Sequence, residues 1–143
     1  MPPTFLFIFL LLSVLLHFIF PIKRIVCAPY NYLGVLVIGL GVMLNIWSDS
    51  LFKRKNIPIK PHDNPAQLET SGPFRISRHP MYLGMIIVLL GVSIVSGSLI
   101  TFIFPVAFLI VMNRIFIPFE EKNLEHIFRK EYLNYKRKVR CWL

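Results

Sequence analysis

Acidic residues are scarce in this chain of 143 residues: Asp and Glu number 7 against 16 Lys and Arg, and only 16% of positions are charged. Soluble domains ordinarily carry about a quarter charged residues, so the shortage argues against one. With 55% hydrophobic residues and a positive mean hydropathy, the composition suits a chain solvated by lipid. Cysteine is nearly absent as well. Cys27 and Cys141 lie at opposite ends without metal-ligand spacing, which excludes a disulfide framework and gives no sign of a metal site. No internal repeat is visible. The formal charge of +9 is what membrane proteins gather beside anionic headgroups, and it is not read as a nucleic-acid surface.

Long apolar runs are what the chain has instead. Residues 4–20 carry no charge and precede Pro21, Lys23 and Arg24, which suits a first membrane span of marginal length. No basic residue stands before this run and no small-x-small site follows it, so a cleaved leader is not expected. A second run, 30–52, ends at Lys53-Arg54-Lys55. The segment 53–80 holds Pro58, Pro61, Pro65, Pro73 and Pro80, which forbid a continuous helix and predict an extended loop outside the hydrocarbon. Spans at 81–97 and 99–118 follow, the latter interrupted by Pro105, Asn113 and Arg114; only the turn Ser96-Gly97-Ser98 separates them, so they form a hairpin.

Beyond Pro118, Leu124, Phe128, Tyr132, Tyr135 and Val139 recur at helical spacing. The pattern predicts one amphipathic helix over 119–139, with Lys122, Arg129, Lys130, Lys136 and Lys138 on its outer face. The expected fold is thus all-α: a single polytopic membrane domain over 1–143 with about four transmembrane helices and a C-terminal amphipathic helix. Three spans, with the first segment lying in the interface, is the alternative. Six Lys or Arg in 53–80 and seven after Pro118, against two in 21–29, predict that the loop and the C-terminus are cytoplasmic.

The hairpin brings two distant clusters to one membrane face. Arg78-His79-Pro80-Met81-Tyr82 opens the third helix, and Glu120-Glu121 follows the fourth where it returns. Pro80 suits the first helical position, which makes His79 the N-cap and leaves the N–H groups of Met81, Tyr82 and Leu83 without intrahelical partners. Such an end, flanked by Arg75 and Arg78, accepts a carboxylate or phosphate; an ordinary helix start with interfacial anchors is the plainer reading. Gly72 and Gly84 permit close backbone approach. Glu120 and Glu121 suit a cation or sugar hydroxyls, or merely pair with a helix dipole. Asp49 and Arg114 stand near the same membrane face, where pairing with each other competes with snorkelling of Arg114. His17 and His62 have no recognisable partners and read as structural.

The run Gly72-Pro73-Phe74-Arg75-Ile76-Ser77-Arg78-His79-Pro80-Met81-Tyr82-Leu83-Gly84, then an apolar hairpin, then Glu120-Glu121, resembles the isoprenylcysteine carboxyl methyltransferase and phospholipid methyltransferase superfamily. Its signature is Arg-His-Pro-x-Tyr-x-Gly followed by a Glu-Glu pair and a Leu, Phe, Tyr, Tyr, Val tail. The resemblance covers roughly residues 45–143 and implies S-adenosylmethionine as methyl donor, with a membrane-embedded lipid or a lipidated small molecule or peptide as acceptor. It implies catalytic roles for Arg78, His79, Glu120 and Glu121. The cofactor pocket would comprise His79, Pro80, Met81, Tyr82, Leu83 and Gly84, with Glu120 and Glu121 toward the ribose or amino group. No metal is required. The chain departs from the pattern twice: Arg129 stands where relatives commonly have Gly, and Cys141 where the tail often has Arg. Some relatives carry five or more spans, so the N-terminal part that shapes their lipid groove is reduced here.

Two other readings stay open. Membrane sterol or steroid reductases resemble the superfamily around the same element but bind NADPH, and a helical scaffold would merely retain the motif. The Glu-Glu pair and the small size favour the methyltransferase. Among acceptors, a prenylcysteine carboxylate, a phospholipid amine and another apolar small molecule remain. A carboxylate is already nucleophilic at neutral pH, whereas an amine must first lose a proton.

Overall fold

The computed structural model describes residues 2–19, 26, 28–55 and 67–142. Cys27, His62, Pro21, Lys23, Arg24, Pro58, Pro61 and Pro65 fall outside them, as does the stretch 56–66 of the expected extended loop. The described residues form helices and no strand element: α1 (Pro2–Ile19), α2 (Leu33–Arg54), α3 (Pro80–Ser96), α4 (Ile103–Val111), α5 (Ile117–Phe128) and α6 (Lys130–Lys138). Helices α1 and α2, and the run Leu99–Phe128, are long and apolar enough to cross a membrane; α3 is equally apolar but only 17 residues long. At 1.5 Å per residue it spans about 25 Å, slightly less than a hydrocarbon core of about 30 Å. This is a multi-pass integral membrane protein.

Between lipid-facing helices the hydrophobic effect gives no drive to associate, so close packing must supply it. Glycines do so here. A Cβ on Gly34 would lie 2.6 Å from the Gly91 carbonyl oxygen, and one on Gly41 2.7 Å from that of Gly84. Both pairs are seven residues apart in opposite directions, so α2 and α3 run antiparallel with backbones nearly touching. Asn45, an intramembrane amide, gives its Nδ2–H to the Gly41 carbonyl at 2.9 Å and lies directly against Gly84. On the other side of α3, Tyr82, Met85 and Leu89 meet Phe108, Met112 and Ile117, and Phe5, Leu6 and Phe9 of α1 pack onto this core. Phe7, Leu11, Phe18, Leu36, Met43 and Val106 remain exposed, as lipid contact requires.

The turn after α3 is tight because Gly97 takes the left-handed conformation at φ 66°. Two expectations for the following segment are corrected. The fourth run does not end at Pro118 but continues as one helical rod to Phe128, with a π-helical segment at Met112–Phe116. Pro105 and Pro118 each lie in the first turn of an α-helical stretch, where a missing N–H is tolerated, and the wider π turn immediately precedes Pro118. The predicted amphipathic helix 119–139 is broken at Arg129, whose φ of 44° and ψ of −112° separate α5 from α6. An unbroken helix would hold residues 121 and 136 about 22 Å apart along its axis. Instead Lys136 Nζ lies 2.9 Å from Glu121 Oε2. The chain therefore turns, and α6 returns against the start of α3.

At the opposite end of α3, His17, Asn31 and Ser96 line a cavity of about 480 Å³, with Val14 and Val26.

Candidate functional site

The start of α3 is an assembly of four segments. Pro73 and Phe74 are buried in a single 3₁₀ turn, Gly72–Arg75, opened by Gly72 at φ 58°, and Tyr135 of α6 donates its hydroxyl to the Phe74 carbonyl at 2.6 Å. This bond docks α6. Ser77 Oγ accepts the His79 backbone N–H at 3.2 Å and donates to the Cys141 carbonyl at 3.0 Å, while the Arg78 N–H reaches the Arg140 carbonyl at 3.1 Å. The C-terminal strap 139–142 is thereby sewn to the residues just before the helix. Trp142 completes it, its Nε1–H bonded to Asn113 Oδ1 in the π segment at 3.1 Å.

Within this frame the two sequence clusters meet. Arg78 Nη1 lies 2.8 Å from Glu121 Oε1, and His79 Nε2 lies 3.5 Å from the same oxygen. His79 Nδ1 faces Glu120 Oε2 at 3.6 Å, and the Tyr82 hydroxyl donates to that oxygen at 2.8 Å. The rings of His79 and Tyr82 stack with centroids 5.6 Å apart. Glu121 accordingly serves three cations, because Lys136 takes its other oxygen. The cluster is largely dry: His79 is 5% exposed, and the side chains of Arg78 and Glu121 are 11% and 13% exposed.

Burial and charge oppose one another here. Desolvation alone would lower the His79 pKa, but hydrogen bonds and charge from Glu120 and Glu121 outweigh it and raise the value. Two features are left with donor capacity. Arg78 Nε and Nη1 are buried without hydrogen-bond partners, the Nη1 contact to Glu121 being an ion pair of poor angle. The Tyr132 hydroxyl, in a residue only 1% exposed, also lacks a partner and lies within the field of Glu121 and Arg78.

Arg78, His79, Tyr82, Glu120 and Glu121 are thus brought together, with Pro80 buried at the first helical position and no side chain capping the turn. The Leu83 N–H, expected to be free, bonds to the His79 carbonyl at 3.0 Å, so the open donors narrow to the turn before it. Gly84 does not join the polar cluster; it serves the contact with Gly41 and Asn45 on α2. The suggested Asp49–Arg114 pair is not formed: Asp49 pairs with Lys53 at 2.6 Å one turn along α2, while Arg114 is exposed on the π segment. Lys136 was expected on an outer face but turns inward, and Tyr132, Ser77 and Cys141 were not singled out as site residues. Periodicity did mark Tyr132 as apolar-facing. The Cys141 sulfur lies with ligand atoms of His79 and Glu121, all within 4.8 Å of one another, because the strap returns, which no local spacing announces.

A sequence profile described as phospholipid methyltransferase matches residues 30–131, most of the chain and all of the Arg78 to Glu121 core, though not Lys136 or Cys141. Protein-S-isoprenylcysteine O-methyltransferase B of Arabidopsis thaliana is 36% identical over 76 residues, 51% of this chain and 37% of that protein. A probable protein-S-isoprenylcysteine O-methyltransferase of Oryza sativa subsp. indica is 35% identical over 85 residues, 57% of this chain and 43% of that one. An uncharacterized protein of Haemophilus influenzae is 38% identical over 63 residues, its whole length and 44% of this chain. The matches span well under half the length of the plant relatives. No solved structure matches.

Proposed function

The chain belongs to the phospholipid methyltransferase family, and from that premise we propose that it transfers the methyl group of S-adenosylmethionine to a lipidated acceptor at the cytoplasmic membrane face. The observation that carries the reading is the buried cluster of Arg78, His79, Glu120 and Glu121 at an uncapped helix start beside the lipid boundary. The donor set fits the cofactor's polar half. Arg78, whose buried Nε and Nη1 make no hydrogen bond, and the first turn after Pro80 receive the methionine carboxylate. Glu120 and Glu121 accept hydrogen bonds from ribose hydroxyls or the amino group, and His79, stacked on Tyr82, holds both acids in place. Pro80 and Met81 complete the wall.

When bound, S-adenosylmethionine supplies a methyl group activated by its cationic sulfonium. The protein's part is alignment, electrostatic support of that cation and exclusion of water. A dedicated base is not needed if the acceptor is a carboxylate. That matters, because both oxygens of Glu121 are already engaged by Arg78, His79 and Lys136, which makes it a poor proton acceptor. The reading therefore favours a prenylcysteine-type carboxylate over a protonated phospholipid amine, in keeping with the names of the plant relatives. The lipid tail would lie against the exposed apolar sides of the bundle. The basic loop and tail face the cytoplasm by the positive-inside rule.

Calorimetric titration of S-adenosylmethionine into detergent-purified protein tests the proposal, alongside His79→Ala and Glu120→Ala variants of confirmed helicity. Saturable binding lost in both variants is expected. Folded wild-type protein that ignores S-adenosylmethionine, and binds NADPH or nothing, overturns it.

A further inference from the structure

Cys141 stands in the strap whose backbone is pinned to Ser77 and Arg78, and the pinning aims its thiol at the polar cluster. A His nitrogen, a carboxylate oxygen and a thiol sulfur converge there, on His79, Glu121 and Cys141, within 4.8 Å of one another. Around a tetrahedral zinc ion, with bonds of roughly 2.0–2.3 Å, ligand atoms stand about 3.3–3.8 Å apart. His79 Nε2 and Glu121 Oε1 already have that separation at 3.5 Å, and the Cys141 sulfur belongs to the same group of ligand atoms, all within 4.8 Å. The surroundings match as well. Metal-ligating imidazoles ordinarily give their second nitrogen to a carboxylate, and His79 Nδ1 faces Glu120 Oε2 at 3.6 Å, itself fixed by the Tyr82 hydroxyl at 2.8 Å.

We propose that His79, Glu121 and Cys141 form a binding site for a thiophilic divalent cation of the zinc class, with Glu120 orienting His79 from behind. Three protein ligands leave a fourth position open to water. On binding, the sulfur–metal bond replaces the Cys141 S–H bond and the nitrogen–metal bond replaces the His79 Nε2–H bond, both protons passing to solvent; Glu121 Oε1 exchanges its contacts with His79 and Arg78 for the metal, while Oε2 keeps Lys136. Hard cations such as magnesium are disfavoured by the thiolate and imidazole. Metal binding does not rest on the methyl-transfer reading, but its consequence does: the ion takes two groups assigned to the cofactor, so it inhibits.

Cobalt(II) is the probe, added to chelator-stripped, detergent-purified full chain. Tetrahedral d–d bands and a thiolate-to-cobalt charge-transfer band are expected, retained in Cys27→Ser and lost in Cys141→Ser. Zinc should bleach them by competition. Glu120→Gln should weaken cobalt binding roughly 10–100-fold while keeping the charge-transfer band, as loss of a supporting carboxylate does. In a parallel titration, zinc should raise the apparent Kd for S-adenosylmethionine in wild type but not in Cys141→Ser, whose melting temperature serves as the folding control. Absence of the charge-transfer band, or its survival in Cys141→Ser, overturns the site. Cobalt spectra as expected in a protein that never binds S-adenosylmethionine uphold the metal site and remove the methyltransferase reading alone.

Discussion

The two ends of α3 are held by different physics. From Gly84 in its second turn to Gly91 toward its far end, glycine lets α2 approach until backbone touches backbone, and no charge takes part. At its start, Arg78, His79 and Glu121 crowd into an almost dry cluster rimmed by the half-buried Glu120 and Lys136, and each buried ion's desolvation is offset by its neighbours. The seam tolerates added atoms poorly but contains nothing that reacts. The cluster is marginal in stability terms, since a buried ion pair gains little over apolar packing, so its retention points to chemistry. The difference teaches where to cut: damage at the seam should cost stability and spare binding, while damage at the cluster should cost both.

The largest effect is expected from Glu121→Ala. It leaves the Arg78 guanidinium without its anion, while His79 keeps only Glu120 and Lys136 only Glu125. Breaking a buried pair from one side costs about 3–5 kcal/mol, so a large fall in melting temperature should accompany complete loss of S-adenosylmethionine binding. Melting followed by circular dichroism, with calorimetry on the folded fraction, checks it; unchanged melting would mean the cluster is hydrated. Gly34→Leu sharpens the contrast from the other side. Its first added carbon would lie 2.6 Å from the Gly91 carbonyl, at the end of the seam remote from the cluster, and overpacking of this kind costs about 1–3 kcal/mol. Binding affinity in the folded fraction should change less than about twofold. A large loss of affinity there would show that the two ends are coupled.

A third test uses pH at Glu69, the buried acid beside the C-terminal end of α2. It bonds Lys55 Nζ at 3.0 Å and the Ser71 N–H at 2.8 Å. Burial by itself would raise its pKa, but Lys55 and Ser71 overcome that and lower it below 4.5. A depressed carboxyl contributes stability that is present above pH 4.5 and is lost as pH falls through the lowered value. Melting temperature should therefore decline on acidification below pH 4.5 more gently in Glu69→Gln than in wild type. Because Lys55 is partly exposed, the difference is expected to stay near 1 kcal/mol. Coincident profiles for the two proteins would remove Glu69 from the account.

Much of this contrast was legible before any coordinates. Apolar runs predicted the helices, and the short turn at Gly97 predicted that Arg78-His79 and Glu120-Glu121 would be neighbours, as the 2.8 Å pair shows. The glycine seam was visible only as composition, because which glycines meet depends on the register of two helices joined by a long loop. The tail misled more. Leu124, Phe128, Tyr132, Tyr135 and Val139 keep helical period across residue 129, so one helix was predicted where the chain turns. With that turn hidden, nothing could place Lys136 on Glu121 or Cys141 beside His79. Periodicity reports which face is buried; it is blind to a change of direction that keeps the face.

The turn itself supplies the smallest and cleanest test. Arg129 sits at φ 44°, ψ −112°, a combination open to glycine and strained for any residue with a Cβ. It persists because both neighbouring turns use it: its N–H bonds to the Glu125 carbonyl at 3.0 Å and its carbonyl accepts the Leu133 N–H at 3.2 Å. Arg129 is exposed, so little packing is at stake. Strain of this kind is worth about 1–3 kcal/mol. Glycine relieves it but gives back roughly 0.5–1 kcal/mol through the freedom of the unfolded chain, leaving a gain of about 1 kcal/mol for Arg129→Gly. Arg129→Ala removes the charge and keeps the Cβ, so it should leave stability unchanged. A rise in melting temperature for Gly alone attributes the effect to the backbone and identifies residue 129 as the point that folds the tail over the site. Equal rises for Gly and Ala would attribute it to the crowded positive charge of the tail, and the position of the turn would then have to be set by the anchors of Tyr135 and Lys136 instead.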